Sequence, residues 1–264
     1  METATETVKA ETETKPDFEV KYADTPRLRN MIDAVNVLLT EAPITIDLSG
    51  LRIRGMDPSH VAYVDLDVPK SCFEDYSVDG ETEIAVNLEE LLKILRKADK
   101  DDFTVLRRKA GKTELVLESK FKSSFTVLEL EGSFDKCPEP NISVRAKATV
   151  TSKDFFNALK RVMDITDHVK LRIDSEALRI LYAGDLSSGE TTFDRSGECV
   201  LSLEGQEEAT YGLSYLYEIV EKACKVSDIL ALEFSSNMPI KIRPEMGRTE
   251  LLTYWIAPRI DAND

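Results

Sequence analysis

Basic side chains recur on the polar sides of four short segments whose apolar residues have helical spacing. Guanidinium and ammonium groups bind phosphate oxygens without reading bases, so such surfaces give weak, salt-dependent contact with nucleic acid. The alternative is an ordinary solvated helix face, and acidic neighbours such as Asp33 and Glu89 dilute the positive charge. The side chains that we predict to face phosphates are Arg27, Arg29, Lys93, Arg96, Lys97, Lys160, Arg161, Lys222 and Lys225.

Catalytic, cofactor and metal motifs are not found in the sequence. Gly111-Lys112-Thr113 imitates the end of a phosphate-binding loop, but such a loop needs a glycine where Leu106 stands, so a hairpin turn is predicted. The two histidines, His60 and His168, and the four cysteines are widely scattered, without the spacing of a metal site. We therefore predict no enzyme activity, no cofactor and no metal.

An internal repeat organises the chain. The helical segment that begins at Leu28 and the strand pair 44–53 recur 127 residues later, at Phe155 and 171–180. A second helical segment, 87–97, recurs 125 residues later. The folded chain is therefore expected to consist of two copies of one unit, each with two helices.

The elements that position the basic side chains follow from two periodicities. Apolar residues recur at helical spacing in the four segments, and nearly everything else alternates with the period of a strand. The pattern β-α-β-β-β, repeated four times, predicts an α+β fold of two similar domains, each with antiparallel sheets and two helices. The predicted boundaries are a disordered acidic tail at 1–17, domains at 18–130 and 143–260, a connector at 131–142, and a short tail at 261–264.

The net charge of the chain is −15, which opposes nucleic-acid binding unless the charge is unevenly distributed. Unpaired cysteines, the absence of a long apolar run and the lack of a secretory leader favour an intracellular protein that does not associate with membranes. Cytoplasm with association to the nucleoid, or the nucleus, is expected according to the type of cell.

Three segments carry a resemblance to a known family. Residues 49–61 (SGLRIRGMDPSHV), 251–260 (LLTYWIAPRI) and 237–240 (NMPI) resemble the corresponding segments of the proliferating cell nuclear antigen family, the DNA sliding clamps of archaea and eukaryotes. The resemblance runs from about Phe18 to Ile260. It implies a DNA clamp fold, assembled as a pseudo-sixfold trimeric ring whose helices line the hole and face DNA.

The resemblance also implies how subunits join and what the ring does. Edge strands at 124–130 and 189–194 would pair between subunits, with Phe125, Val127, Thr192 and Phe193 at the interface. The ring would be a polymerase processivity factor that encircles double-stranded DNA. Its expected partners are the replicative polymerase, flap endonuclease, DNA ligase and a clamp-loader ATPase.

A partner-peptide pocket is implied as well, in which apolar side chains of a short motif, the PIP-box, fill a hydrophobic cavity. Trp255 stands where the family more often has tyrosine, which would reshape this cavity. The residues carried over to the pocket are Met56, His60, Val61, Pro138, Pro140, Ile142, Trp255, Ala257, Pro258 and Ile260.

Two other functions stay open at this stage. The chain could be one subunit of an obligate heterotrimeric clamp, which the mass of the purified protein would reveal. It could also be an acidic interaction scaffold that does not bind DNA, which would not stay on circular DNA. An enzyme of unknown type is the least favoured interpretation.

Overall fold

A computed structural model describes residues 16–132, 134 and 137–260. Most of the predicted tail at 1–17 and all of 261–264 lie outside these residues. The first half contains β1 (Phe18–Tyr22), α1 (Thr25–Asn36), β2 (Glu41–Ile46), β3 (Gly50–Met56), β4 (Ala62–Pro69), β5 (Asp75–Val78), β6 (Thr82–Asn87), α2 (Leu88–Leu95), β7 (Phe103–Lys109), β8 (Lys112–Glu118) and β9 (Lys122–Val127). The second half contains β10 (Ala146–Thr151), α3 (Ser152–Val162), β11 (His168–Ile173), β12 (Ala177–Ala183), β13 (Ser188–Asp194), β14 (Val200–Glu204), β15 (Glu207–Gly212), α4 (Leu213–Ala223), β16 (Ile229–Phe234), β17 (Ile240–Pro244) and β18 (Leu251–Ile256).

The four predicted helices are all present, and local chemistry explains where two of them begin. Asp24 accepts a hydrogen bond from the backbone N–H of Arg27 at the start of α1, where Pro26 occupies the first turn. Asn87 caps α2 in the same way, through the N–H of Glu90. Each helix buries an apolar stripe, so tertiary packing stabilises these short helices.

The β-α-β-β-β pattern recurs four times, as predicted, and the fold is α+β with antiparallel sheets. Two further strands, β5 and β14, were not predicted. They occupy corresponding places in the two halves, where β5 pairs with β1 and β14 pairs with β10. Four or five residues with mixed exposure do not make a recognisable alternating pattern, which is why the sequence did not reveal them.

Three sheets contain all the strands of the described residues. The outer two have the orders β5-β1-β7-β8-β9 and β13-β12-β11-β15. The third has nine strands in the order β14-β10-β16-β17-β18-β4-β3-β2-β6 and joins the two halves of the chain. At its centre β4 and β18 are antiparallel, with Leu251 opposite Asp67 and Ile256 opposite Ala62.

Neighbouring residues of β18 point to opposite faces of the nine-stranded sheet, as strand geometry requires. Tyr254 is fully buried and its hydroxyl donates to the carbonyl oxygen of Ala34 in α1, at 2.9 Å. Trp255 lies on the other face, where the ammonium group of Lys241 sits 5.2 Å from its ring centre. The helices therefore cover one face of this sheet, and the connector passes over the other.

The hairpin between β7 and β8 confirms the turn predicted at Gly111. Lys109 pairs with Lys112, and both residues between them have positive φ, 52° at Ala110 and 74° at Gly111. This conformation fits a tight two-residue turn and offers no phosphate-binding loop.

The structure corrects the limits of the strand predicted at 124–130. Strand β9 begins two residues earlier and ends at Val127. The backbone N–H of Leu130 donates to the carbonyl oxygen of Ala85 in β6, at 2.8 Å. The chain after Val127 therefore leaves β8 and runs beside the edge of the nine-stranded sheet.

Candidate nucleic-acid and partner-binding sites

The four helices form one continuous layer. Helix α1 packs against α2 on one side and against α4 on the other, and α4 packs against α3. The order across the layer is therefore α2-α1-α4-α3, and the contact between α1 and α4 joins the two halves of the chain. The rings of Phe156 in α3 and Tyr217 in α4 pack against each other at a tilt of 35°, with centroids 5.1 Å apart.

Most of the basic side chains predicted from the helix patterns are exposed on this layer. Two others, Arg29 and Lys222, are half-buried. Within the described residues, Lys160 and Arg161 form no ion pair, so both charges are available to an outside anion. The exposed set consists of Lys93, Arg96, Lys97, Lys160, Arg161 and Lys225.

Arg27 occupies a different environment from the other predicted cations. Its Nε donates to Glu250 at 3.1 Å, and its Nη2 donates to Glu250 and to the carbonyl oxygen of Met246. Tyr22 donates a third hydrogen bond to Glu250, at 2.7 Å. The guanidinium group is thus engaged within the protein, and we leave Arg27 out of the proposed phosphate-facing surface.

Asp33 of α1 is the acidic centre of the helix layer. Lys222 donates to both of its carboxylate oxygens, at 3.0 and 2.9 Å, and Lys225 to one of them, at 3.3 Å. Arg96 of α2 approaches within 3.9 Å. Burial raises the pKa of Asp33, but the hydrogen bonds from Lys222 and Lys225 outweigh it and lower the pKa overall.

The three sheets have six edge strands, and four of these are short or covered. Strands β5 and β14 have only four and five residues. Strand β6 is covered where Leu130 bonds to Ala85, and β15 is covered by a bridge between Thr210 and Arg259. The remaining edges are β9 and β13, the two strands predicted to join subunits.

Most of the side chains predicted at the subunit interface contact their own chain. Val127 and Phe193 are buried, with the Phe193 ring packed 6.1 Å from that of Phe155. Phe125 is half-buried, and the ammonium group of Lys97 lies 5.0 Å from its ring centre. Thr192 alone is exposed.

Exposed apolar side chains near the two free edges were missed by sequence reasoning. Phe121 and Leu128 flank β9, and Leu186 precedes β13; these side chains are 69%, 79% and 101% exposed. Their place at the ends of unpaired edge strands suits contact with another chain. A single apolar residue in a loop carries no periodicity, so the pattern analysis had no signal for them.

A cavity of about 560 Å³ lies where Met56 and His60 were predicted to form part of a pocket. Its apolar walls include Leu39 and Pro58, and Phe134 and Cys137 of the connector close one side. Sequence reasoning had not included Leu39, which lies outside the segments that carried the resemblance, or Phe134, since only Pro138, Pro140 and Ile142 were taken from the connector.

The loop at 57–61, beside this cavity, is held by Asp57. Its carboxylate accepts hydrogen bonds from the backbone N–H groups of Ser59, Val61 and Ala62. The hydroxyl of Tyr215 in α4 donates a fourth, at 2.7 Å. Burial raises the pKa of Asp57, but these hydrogen bonds outweigh it and lower the pKa overall.

Three other predicted pocket residues line a second recess, of about 380 Å³, beside the connector. Pro140, Ile142 and Trp255 contribute to it. Lys241 binds Glu139 of the connector at 3.1 Å, and the hydroxyl of Tyr63 donates to the carbonyl oxygen of Cys137 at 3.5 Å. The connector thus divides the predicted pocket in two.

The remaining predicted pocket residues surround these recesses. The backbone N–H of Ala257 donates to the carbonyl oxygen of Val61 at 2.8 Å, which links the two ends of the site. Pro138 and Ile260 are exposed, and Pro258 is half-buried. The indole N–H of Trp255 is buried without a hydrogen-bond partner.

Two classes of site can be checked across the described part of the chain. There, no group of three or more His, Cys, Asp or Glu side chains could hold a metal ion. No helix in the ranges 16–132 and 137–260 is long and apolar enough to cross a membrane.

Comparison with known families matches nearly the whole chain. The sequence model of the proliferating cell nuclear antigen N-terminal domain matches residues 17–132, and that of the C-terminal domain matches residues 139–259. This chain belongs to the proliferating cell nuclear antigen family. The resemblance seen in the three sequence segments is therefore confirmed.

Relatives in the family carry a functional name. A protein of Thermofilum pendens, named DNA polymerase sliding clamp, is 30% identical over 91% of this chain and 98% of its own length. A protein of Pyrobaculum aerophilum, named DNA polymerase sliding clamp 1, is 31% identical over 91% of this chain and 97% of its own. The predicted functional class agrees with these names.

Solved structures of the family share the fold. A Thermococcus kodakaraensis proliferating cell nuclear antigen superposes with a TM-score of 0.86 at 24% identity, over 92% of this chain and all of that one. A chain of the PCNA2–PCNA3 complex of Sulfolobus tokodaii gives a TM-score of 0.83 at 25% identity, over 91% of this chain and 99% of that one. The predicted DNA clamp fold is therefore confirmed.

Proposed function

We propose that this chain is a non-enzymatic DNA polymerase sliding clamp, three copies of which close into a ring around duplex DNA. The observation that carries the proposal is that β9 and β13, the two uncovered edges, correspond through the internal repeat to β18 and β4. Strands β18 and β4 already pair with each other at the centre of the nine-stranded sheet, where the two halves of the chain meet. The chain thus contains one joint of the kind that would link it to its neighbours.

The correspondence follows from element order. Strand β4 is the third strand after α1, and β13 is the third after α3; the same relation holds for β18 after α4 and β9 after α2. If β9 pairs with β13 of the next copy as β18 pairs with β4, three copies give six similar joints. A head-to-tail contact of this kind closes when the rotation per copy divides a full turn.

DNA would be held by enclosure and only weakly by contact. The helix layer presents Lys160 and Arg161, with the other exposed cations, as a positive surface on a chain whose net charge is −15. Contacts of this type go to phosphates and do not specify a sequence. Weak contact suits a ring that must move along duplex DNA.

Partner proteins would bind at the cavity beside Met56 and the connector. Its apolar walls and its size fit a short peptide segment with bulky apolar side chains, such as a PIP-box. We propose the replicative polymerase, flap endonuclease, DNA ligase and a clamp-loader ATPase as partners. The loader supplies the energy for opening, since the sequence has no nucleotide-binding loop of its own.

We further propose that the domains divide at the connector, with clamp domains at 18–130 and 143–260, and that the protein acts inside the cell, where its DNA is. The family models end and resume close to the proposed connector, at residues 132 and 139.

A heterotrimeric clamp is the second candidate, in which this chain would be one of several different subunits. The favouring observation is that a chain of similar fold comes from a PCNA2–PCNA3 complex of Sulfolobus tokodaii. In that case the edges β9 and β13 of one chain would not fit each other.

The first experiment measures the mass of the purified protein by light scattering. A homotrimer gives three times the chain mass of 29.7 kDa, whereas a monomer that persists at high concentration supports the heterotrimer. The second loads the protein onto nicked circular DNA with a clamp loader. Retention on circles and release after linearisation support enclosure, and an acidic scaffold without a DNA role would not be retained at all.

A further inference from the structure

Asp33 differs from the other acidic residues of the helix layer in what it contacts. Its carboxylate is only 16% exposed and lies where α1 meets α4. It accepts three hydrogen bonds from Lys222 and Lys225, and Arg96 is its third cationic neighbour. Three of the cations on the proposed DNA-facing surface are therefore arranged around one anion that belongs to the protein.

Other parts of the same layer contrast with this arrangement. Lys160 and Arg161 of α3 are exposed and have no ion pair in the described residues. Among the residues that the structure describes, Lys93 pairs only with Glu90 on the same helix, and both side chains are more than 60% exposed. Charges near α3 are thus free, and charges near the junction of α1 and α4 are not.

We propose that Asp33 is an internal competitor for DNA phosphates, which holds the cations of α4 and α2 and so limits how tightly the inner surface binds DNA. The inference rests on the proposed clamp function. A phosphate that approaches Lys222 or Lys225 must replace Asp33 as its partner, so the contact gains less than one made by a free lysine. Asp33 is a positioning residue, since it acts through the lysines.

The exchange also limits the salt dependence of binding. Counterions condensed on DNA are released in proportion to the number of phosphates that protein cations neutralise. A lysine that stays paired with Asp33 neutralises less phosphate charge than an unpaired lysine, so it releases fewer of these counterions. We therefore expect DNA contact at the α1–α4 junction to be weak and insensitive to salt. Such contact lets phosphates exchange rapidly as the ring moves.

Asp33 has a structural role as well, which the test must separate. It helps to join the two halves of the chain, together with the hydrogen bond from the Asn30 side chain to the carbonyl oxygen of Lys225, at 3.1 Å. Loss of Asp33 is therefore expected to lower the melting temperature. Stability and DNA affinity should move in opposite directions, which a purely structural role would not produce.

The test compares Asp33→Asn with Glu221→Gln in the full-length trimer. Glu221 is exposed on α4 and forms no ion pair in the described residues, so each substitution removes one negative charge, but only Asp33→Asn frees cations from their partner. Binding to a linear duplex is measured by fluorescence anisotropy over a range of salt concentrations. For Asp33→Asn we expect roughly fivefold tighter binding at low salt and a log–log salt slope steeper by about 1 to 2.

Lys222→Gln provides the second arm of the test. In the wild-type background it should weaken DNA binding little, because Lys222 is already held by Asp33; in the Asp33→Asn background it should remove much of the gain. Equal effects of Asp33→Asn and Glu221→Gln, or equal effects of Lys222→Gln in both backgrounds, would overturn the proposal.

Two further outcomes are distinguishable. If Asp33→Asn fails to fold, the wild-type comparison of Lys222→Gln with Lys160→Gln decides, since the proposal requires the Lys160 change to cost more. If the wild-type protein neither binds linear duplex nor stays on circles, the clamp function itself fails. A wild-type protein that binds DNA while the variants show no contrast refutes only the role of Asp33.

Discussion

Glu250 shows how single residues join the two halves of the molecule. It precedes β18 in the second half, is 2% exposed, and accepts hydrogen bonds from Tyr22 and Arg27 in the first half. A buried carboxylate is stable only when paired and hydrogen-bonded, and both conditions are met here. Burial raises the pKa of Glu250, but the hydrogen bonds from Arg27 and Tyr22 outweigh it and lower the pKa overall.

We predict that Glu250→Gln destabilises the protein by about 3 kcal/mol at neutral pH, because Arg27 is left without its anion. The pH dependence has a defined sign. A lowered pKa in the folded state adds stability above the ordinary value of 4.5, and this contribution disappears as pH falls through the folded-state pKa. The difference between variant and wild type should therefore shrink in acid.

Urea unfolding of both proteins at several pH values checks this prediction. Glu204→Gln is a suitable control, because Glu204 is exposed on β14 and the change should stay within about 0.5 kcal/mol of wild type. A Glu250→Gln protein as stable as wild type at pH 7 would contradict the prediction.

The sequence did not predict which charged side chains pair with each other. Arg27 falls on the polar side of α1 with the other cations, and its helical position alone does not show that it meets Glu250, 223 residues later. The same is true of Asp33, which counted only as an acidic neighbour that dilutes the basic surface. Ion pairs between distant segments depend on tertiary geometry, about which the helix period says nothing.

At the scale of elements, the proposed association of copies depends on the two uncovered edge strands, β9 and β13. Leu128 follows β9 and is 79% exposed, so in an isolated chain its side chain contributes little to the core. An exposed apolar residue at the end of an unpaired strand is a natural contact for a second chain.

We predict that Leu128→Glu weakens or abolishes the trimer while leaving the chain folded. The buried charge opposes association, whereas the exposed position tolerates the change within about 0.5 kcal/mol of folding stability. Light scattering at several concentrations reports the association, and circular dichroism reports the fold.

Leu48→Glu is the matched control, since Leu48 is 65% exposed in the turn between β2 and β3, away from both free edges. It should stay trimeric. If both variants stay trimeric, or both dissociate, Leu128 does not belong to the interface in the way proposed.

Helices and strands were predicted correctly where the periodic pattern of apolar residues extended over enough of the sequence. All four helices and the repeated β-α-β-β-β order followed from periodicity, because each buries a continuous apolar face. Strands β5 and β14 were missed, and the end of β9 was placed three residues too late. Leu128 and Leu130 still alternate with a polar residue, although they are one residue out of phase with Phe125 and Val127. Leu130 bonds to β6, so this alternation does not mark where the partner strand changes.

At the scale of the whole molecule, the helix layer and the partner cavity lie on opposite sides of the nine-stranded sheet. Tyr254 contacts α1 on one face of the sheet. Met56 and Trp255 share the other face, because both are paired with Tyr63 across neighbouring strands. The two proposed activities, holding DNA and binding partners, therefore use separate surfaces, and changes at one should spare the other.

We predict that Met56→Glu lowers the affinity for a synthetic PIP-box peptide at least about tenfold, because a charge replaces an apolar wall of the cavity. Retention on circular DNA should be unchanged. Lys160→Gln is the reciprocal control, expected to weaken binding to linear duplex and to leave peptide affinity intact. Calorimetry with the peptide, retention on nicked circles and anisotropy with a linear duplex check both variants; loss of both peptide and DNA binding in either variant would contradict the separation.

Whole-molecule organisation was predicted from the repeat and from the resemblance together. The repeat predicted two similar units with four helices, but their common layer and the order α2-α1-α4-α3 emerged only from the structure. The pocket residues were placed near each other, yet the connector separates them into two recesses. Segment similarity specifies which residues lie near a site and does not specify the path of the loop between them.

The joint between β4 and β18 has a consequence for the mechanics of an assembled ring. This seam is secured by a paired strand ladder and by side chains such as Tyr254 and Glu250 that cross from one half to the other. Separating β4 from β18 would require the chain to unfold. Three of the six joints would therefore stay closed in the folded protein. A loader that opens the ring must separate the paired strands at a boundary between copies. In a ring of identical copies those three boundaries are equivalent, so DNA could enter through any one of them.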